Sequence, residues 1–238
     1  MSVSWNPWHG CQRVSEGCRN CYVYRIDSAH GKESQTVTLN ADFLLPLRKT
    51  RGQYRIESGE KVYTCFSSDF LIEDADLWRP DVWRMMRERS DLQFIFFTKR
   101  IERLAATLPD DWGEGYENVT VGCTCENQAR ADERLPIFLS LPIRHRTVIC
   151  EPLLGAIDLK PYLDRTRIES VCAGGESGEG ARVCDFEWVM DIQRACADAG
   201  VSFSYHQTGA LLRRNGRIYR IPRRCQHEQA LRAGIDLI

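Results

Sequence analysis

The chain has 238 residues, 43% of them hydrophobic and 27% charged, which is the balance of an ordinary globular protein and excludes a disordered or fibrous one. Its net charge of −1 comes from 32 basic and 33 acidic residues, but residues 211–224 hold six arginines and no acid, which leaves −7 for the remainder. No apolar run much longer than 94–97 occurs and no basic-then-apolar segment opens the chain, so neither a membrane span nor a secretory signal is expected, and the expected location is cytoplasmic.

In chain order the hydrophobic pattern begins with a weak strand near residues 3–5, followed by a cysteine-rich loop within 5–26 and the start of a helix at 22–26. Strands are expected at 61–66, 92–97, 119–123, 146–150, 170–173 and 201–205, because these runs are short and rich in Val, Ile and Phe, as strands covered on both faces are. Helical composition or spacing falls between them, at 79–89, 101–107, 127–139 and 186–199. Pro80 suits a first helical turn, and Gly200 supplies a stop before the last strand. Residues 211–224 read as a hairpin turning at Asn215-Gly216. This alternation predicts one α/β domain over 1–238, a partial barrel of parallel strands with a C-terminal basic hairpin.

In parallel α/β sheets ligands gather beyond the carboxyl ends of the strands. Those ends read Ser67-Ser68-Asp69, Thr98-Lys99-Arg100, Thr124-Cys125-Glu126-Asn127, Glu151-Pro152, Gly174-Gly175-Glu176-Ser177 and His206-Gln207. All are polar or glycine-rich, and four carry an acid. Helix capping accounts for some of this polarity, and a helix-capping turn also explains Gly174-Gly175-Glu176 taken alone.

Eleven cysteines is a high and odd count, so they cannot all pair within the chain, and with no export signal they are expected to be free thiols or metal ligands. Cys11, Cys18 and Cys21 lie within eleven residues, with Gly10 and Gly17 before two of them. Three readings are open: buried unligated thiols, a structural zinc site with His9 as candidate fourth ligand, and a [4Fe–4S] cluster whose fourth iron is open to a small molecule. The ring of polar strand ends favours a bound cofactor over a structural zinc knob. Cys65, Cys123, Cys150, Cys172 and Cys196 sit in apolar strands or on an apolar helix face and read as core filler; Cys125 could face either way, and Cys184 and Cys225 have no assignable role.

The sequence resembles a phage and prophage family of unknown function with an N-terminal three-cysteine motif, the Gp37/Gp68 type (DUF5131). The match runs through Trp5-Asn6-Pro7, Gly10-Cys11, Gly17-Cys18, Asn20-Cys21-Tyr22, Phe97 to Arg100, Gly122 to Asn127, Cys150 to Gly155, Gly174 to Gly178, Ala181-Arg182 and Gln207. In pattern that family is similar to divergent radical S-adenosylmethionine (SAM) enzymes. The resemblance implies a partial (β/α)6 TIM-like barrel and a [4Fe–4S] cluster on Cys11, Cys18 and Cys21, with SAM on the open iron and an electron donor as partner. It places SAM near Tyr22, Ser68, Asp69, Lys99, Glu126, Asn127, Glu151, Gly174, Gly175, Glu176 and Gln207. Asp69 is a candidate for the methionine amine, and Lys99 or Arg100 for its carboxylate.

The cysteine spacing of six residues and then two departs from the three and two usual in that superfamily, and the glycine-glycine-acid element follows a late strand rather than the second. On the basic hairpin, Arg213, Arg217, Arg220 and Arg223 are candidates for phosphate, which makes a nucleotide or nucleic acid the candidate substrate; the alternative is a solvated hairpin. From a different class, the chain reads as a non-catalytic zinc-binding protein that docks nucleic acid or a partner.

Overall fold

In the computed structural model, which describes residues 2–238, the chain is mixed α/β. Seven strands form its main sheet: β1 (Ser2–Trp5), β2 (Lys61–Thr64), β3 (Gln93–Thr98), β4 (Val119–Thr124), β5 (His145–Cys150), β6 (Ser170–Gly174) and β7 (Ser202–Gln207). Their order in the sheet is their order in the chain. The registers are parallel, with Ser2 beside Lys61, Lys61 beside Gln93, and Ser170 beside both Thr147 and Ser202. Each strand predicted from hydrophobic pattern is present to within three residues at either end. Parallel pairing requires long connections, and four of the five α-helices occupy them: α1 (Tyr22–Ala29), α2 (Arg79–Glu88), α3 (Gln128–Ser140) and α4 (Phe186–Ala199). No described helix is long and apolar enough to cross a membrane.

The chain divides into two compact units. The first comprises residues 1–14, 23–122 and 140–145. Its core is aromatic: Phe70 stacks on Phe96 with ring centroids 4.1 Å apart, and Trp83 meets Phe70 edge-on at 4.8 Å and Trp112 at 5.0 Å. Trp83 reaches this cluster because α2 turns Val82, Trp83, Met85 and Met86 inward, with Pro80 in its first turn. Arg79 and Arg89 are buried among backbone carbonyls. Arg79 donates to the carbonyls of Phe70 and Ile72 and pairs with Asp76, while Arg89 donates to the carbonyls of Pro46 and Ile56, pairs with Asp91 and lies over the Tyr54 ring. These bonds fix loops rather than strands, which is how a buried guanidinium with five donors is satisfied. Residues 101–107, expected to be helical, form two 3-10 turns, Ile101–Arg103 and Ala105–Thr107. Seven residues are marginal for an α-helix, and Pro109 turns Leu108 to extended backbone.

The second unit comprises residues 15–22, 123–139 and 146–238. α4 buries Phe186, Val189, Ile192, Ala195 and Cys196; the Asp185 side chain caps its start, and Gly200, in the left-handed conformation at φ 66°, ends it. β8 (Leu211–Arg214) and β9 (Arg217–Arg220) form the expected hairpin, turning at Asn215 and Gly216 with φ of 51° and 73°. Positive φ at both turn residues is the pairing a two-residue hairpin favours. β8 also pairs with the short strand Cys184–Asp185. The hairpin ends sooner than predicted: Arg223 and Arg224 open a fifth helix, α5 (Arg223–Arg232), whose polar sequence buries only Gln226 and Ala230.

Candidate functional site

The unit boundary falls inside the cysteine loop, with Cys11 in the first unit and Cys18 and Cys21 in the second. In the first unit, the end of β2 is turned by Cys65, a non-glycine residue at φ 63° and therefore mildly strained. The following Ser67 and Ser68 are stitched to the approach to Cys11. Gly10 N–H donates to the Ser67 carbonyl at 3.2 Å, and the Ser68 hydroxyl donates to the Gly10 carbonyl. Gly10 has φ 99°, and a Cβ there would lie 2.3 Å from the Thr36 carbonyl oxygen, so only glycine fits.

Asp69 is buried and its carboxylate is saturated. Oδ1 accepts from Leu71 N–H at 2.9 Å and Thr98 Oγ1 at 2.7 Å; Oδ2 accepts from Lys99 N–H at 2.9 Å and lies 3.2 Å from Arg100 Nη1. Four donors fill its lone-pair sites. Asp69 thereby aims Arg100, whose Nη2 donates to the Gln12 carbonyl at 2.6 Å and whose Nη1 lies 3.9 Å from Cys11 Sγ. Burial works against the Arg100 charge, and the Asp69 carboxylate and Cys11 sulfur outweigh it. Lys99, half-buried at the end of β3, has no side-chain partner among the described residues. His9 has Nε2 at 2.9 Å from the buried Asp27 carboxylate, whose other partner is the Ser34 hydroxyl. That nitrogen is therefore engaged away from any metal.

In the second unit the strand-end acids grip the segment that carries Cys18. Glu126, fully buried at the end of β4, pairs with Arg134 on α3 at 2.8 Å and accepts from the Ser15 hydroxyl and from Gly17 N–H at 3.3 Å. A Cβ on Gly17 would lie 2.7 Å from Glu126 Oε1, so the glycine before Cys18 is what lets the carboxylate approach. Glu176 forms a fork with Arg182, Nη2 to Oε1 at 2.5 Å and Nε to Oε2 at 2.9 Å, and accepts from Asn20 Nδ2 at 2.9 Å. Arg182 in turn donates to the Glu16 carbonyl at 2.9 Å. Burial alone would raise the Glu176 carboxyl; Arg182 and Asn20 bring it below its ordinary value. Glu16 falls to about 2, through a hydrogen bond from its own backbone and one from Asn127, with Arg130 adding to them against burial. Within this clamp Cys21 N–H closes a turn on the Cys18 carbonyl at 3.4 Å, and Tyr22, exposed, begins α1.

Glu151 makes a separate group with His206 Nδ1 at 2.8 Å and with Gln207. The pairing of β6 with β7 slips between Ala173 and Gly174, which face Tyr205 and Gln207, so His206 is the extra residue of a bulge. Bulges re-aim side chains, and this one lets adjacent residues of β7 reach the same carboxylate. The glycine pair makes room rather than capping a helix: a Cβ at Gly174 would lie 2.6 Å from Glu151 Cδ, and one at Gly175 would lie 2.3 Å from the Thr208 carbonyl oxygen.

The eleven cysteines form no disulfide among the described residues. Burial pushes the Cys65, Cys123 and Cys150 thiols far above their ordinary value, and those of Cys172, Cys184 and Cys196 up to about 12. Cys125 is also fully buried. Cys18 is buried within the clamped segment, and Cys11 and Cys21 are half-buried. Among the described residues, no three His, Cys, Asp or Glu side chains form a ready-made metal cage. Sequence reasoning missed Ser15, Asn20, Arg134 and Arg182 as site residues. The glycines at 10 and 17 and the polar residues around them were the only signal that this loop is gripped from outside.

A mainly parallel α/β sheet, with strand-end carboxylates in each unit that fix a thiol-bearing loop, defines the class of this protein. Within that class the chain belongs to the family described as "Protein of unknown function (DUF5131)", which it matches over residues 1–233. No curated protein and no solved structure matches it.

Proposed function

We propose that this protein is a radical SAM-like enzyme: Cys11, Cys18 and Cys21 ligate a [4Fe–4S] cluster, and SAM binds at its open iron. One observation carries the reading. Three buried or half-buried acid–arginine pairs, Asp69–Arg100, Glu126–Arg134 and Glu176–Arg182, each lead by hydrogen bonds to the loop between residues 10 and 20. Desolvating ion pairs is costly, and their best-attested use is to fix one arrangement rather than to add stability. The residues in that loop with chemistry to position are the thiols. The donor set fits the group: three soft sulfurs in one short segment, one of them beside a guanidinium.

When bound, such a cluster supplies the electron that splits the SAM sulfonium into methionine and a 5′-deoxyadenosyl radical, which takes a hydrogen atom from the substrate. The chain's own contributions follow from its charges. Arg100, 3.9 Å from Cys11 Sγ, offsets the negative charge that Cys11 carries as a ligand. Lys99, with no partner for its ammonium among the described residues, is the residue for the SAM carboxylate. Asp69, Glu126 and Glu176 hold the loop, so Glu151 with His206 and Gln207 is the acid left for hydroxyl or amine groups of a ligand. The substrate class is a nucleotide or nucleic acid, on the strength of the arginine hairpin. The zinc alternative keeps His9 as its fourth ligand through Nδ1, because a carboxylate on the other ring nitrogen is the usual partner of a metal-bound histidine.

The test is anaerobic incubation of the reduced protein with SAM. Formation of 5′-deoxyadenosine and methionine in wild type, lost in Cys18→Ala, supports the reading, and no 5′-deoxyadenosine from protein with a fully reduced cluster sinks it.

A further inference from the structure

The outer strand of the hairpin has no partner to justify its charge. β8 is tied down: Leu212 is buried, Arg213 lies 3.4 Å from Asp185, and the Arg214 guanidinium sits 4.6 Å from the centre of the Phe186 ring. β9 is exposed along its whole length. Arg217 and Arg220 on β9, and Arg223 and Arg224 just beyond it, have no carboxylate, carbonyl or ring partner among the described residues, whereas most other arginines of the chain are paired. Arg217 also stands directly across from Arg214, a like-charge cross-strand pair that weakens an isolated hairpin. No acid lies in 211–224 to offset it.

Alternation along the strand puts Tyr219 on the same face as Arg217 and Arg214, opposite Leu212. Tyr219 is 47% exposed and its neighbour Ile218 52%. Arg217 shares the face of this exposed ring, Arg220 lies on the other face of the same strand, and such a two-stranded ribbon offers a base a stacking surface and its phosphates their counter-charges.

We propose that the β8–β9 ribbon and the first turn of α5 bind single-stranded nucleic acid, with Tyr219 stacking on a base and Arg217, Arg220, Arg223 and Arg224 neutralising backbone phosphates. This rests on the hairpin alone and stands or falls independently of the iron–sulfur reading. Salt dependence gives its scale. Neutralising four phosphates of a single strand predicts a log–log slope near −2.8, hence about 50-fold weaker binding on going from about 50 to 200 mM salt.

The experiment is fluorescence anisotropy of the full-length protein with a labelled single-stranded RNA, a single-stranded DNA and a duplex DNA. Wild type should bind both single strands more tightly than the duplex. R217T/R220T, at exposed strand positions where threonine is well accommodated, should halve the salt slope while its thermal melt stays that of wild type. Tyr219→Ala should weaken binding about 5- to 150-fold with the slope unchanged. The double variant R84Q/R232Q removes the same charge from helix surfaces elsewhere and should bind as wild type does. Absence of binding at low salt, an unchanged slope in R217T/R220T, or preference for the duplex overturns the proposal. A preference between the two single strands, with the arginine and tyrosine effects intact, identifies which of them the ribbon uses.

Discussion

Replacing Glu126 with glutamine removes one charge from the centre of the clamp on Cys18 and almost nothing else, since the amide has the carboxylate's size. Glu126 is fully buried, and the Arg134 it pairs with is 3% exposed. In the variant the guanidinium keeps the Thr124 carbonyl at 2.7 Å but loses its counter-charge. The new amide must point its NH2 either at Arg134 or at Ser15 and Gly17, which are donors themselves. Coulomb attraction between unit charges about 4 Å apart is about 4 kcal/mol at an effective dielectric near 20. Removing one partner of a buried pair costs about 3–5 kcal/mol. The expected loss is therefore about 3 kcal/mol or more, measured as a shift of the urea midpoint at unchanged slope. Hydrogen exchange at residues 15–21 should rise in the same variant. Glu126→Gln with Arg134→Met, which removes both charges, should recover most of the loss. If Glu126→Gln costs under about 0.5 kcal/mol and leaves exchange at 15–21 unaltered, the carboxylate does not hold the loop and the reasoning fails.

Gly17→Ala should cost about 1–3 kcal/mol through the 2.7 Å approach to Glu126, whereas Gly155→Ala, whose nearest neighbour would be the Asn127 Cβ at 3.8 Å, should be nearly neutral; similar effects in thermal melts of the two would contradict the close-approach argument. His206 titrates above its ordinary 6.5 because Glu151 accepts its hydrogen bond and its charge, against the effect of burial. The pair's stabilising contribution is thus complete below about pH 6.5 and fades as pH rises through the raised value. Glu151→Gln should bring the His206 titration, followed by NMR, back toward 6.5 and remove that pH dependence; an unmoved titration would show that the pair does not exist in solution. Trp83→Ala, which opens the aromatic cluster of the first unit, should cost about 3–5 kcal/mol in chemical denaturation, and a loss below 1 would mean the cluster repacks around the hole.

The fold was legible because β4 and β5 are mostly buried, while β2, β3 and β7 bury alternate residues, and both patterns show as short runs rich in Val, Ile and Phe. The 94–97 run lies within β3, and Gly200 ends α4 where expected. α5 was not legible, since two buried residues in ten leave no stripe to detect. The strand-end acids were found as a set, but their partners were not: Asn20 reaches Glu176 across 156 residues and Ser15 reaches Glu126 across 111, contacts that only the topology creates. Asp69, Glu126 and Glu176, read as groups for a cofactor, accept hydrogen bonds from the protein itself. Only a glycine pattern hinted at this, because Gly10 and Gly17 mark close approaches that spacing cannot distinguish from flexibility. The bulge that turns His206 onto Glu151 has no signature in the sequence at all.

Cys11, Cys18 and Cys21 are expected to differ in kind from the other eight cysteines, as ligands rather than core filler. Iron and acid-labile sulfide should be measured in protein purified without exposure to air, for wild type, Cys18→Ala and Cys172→Ala. About four irons and four sulfides per chain are expected in wild type and in Cys172→Ala, and none in Cys18→Ala. Stoichiometric zinc in place of iron, or equal loss of iron in the two variants, would contradict this assignment.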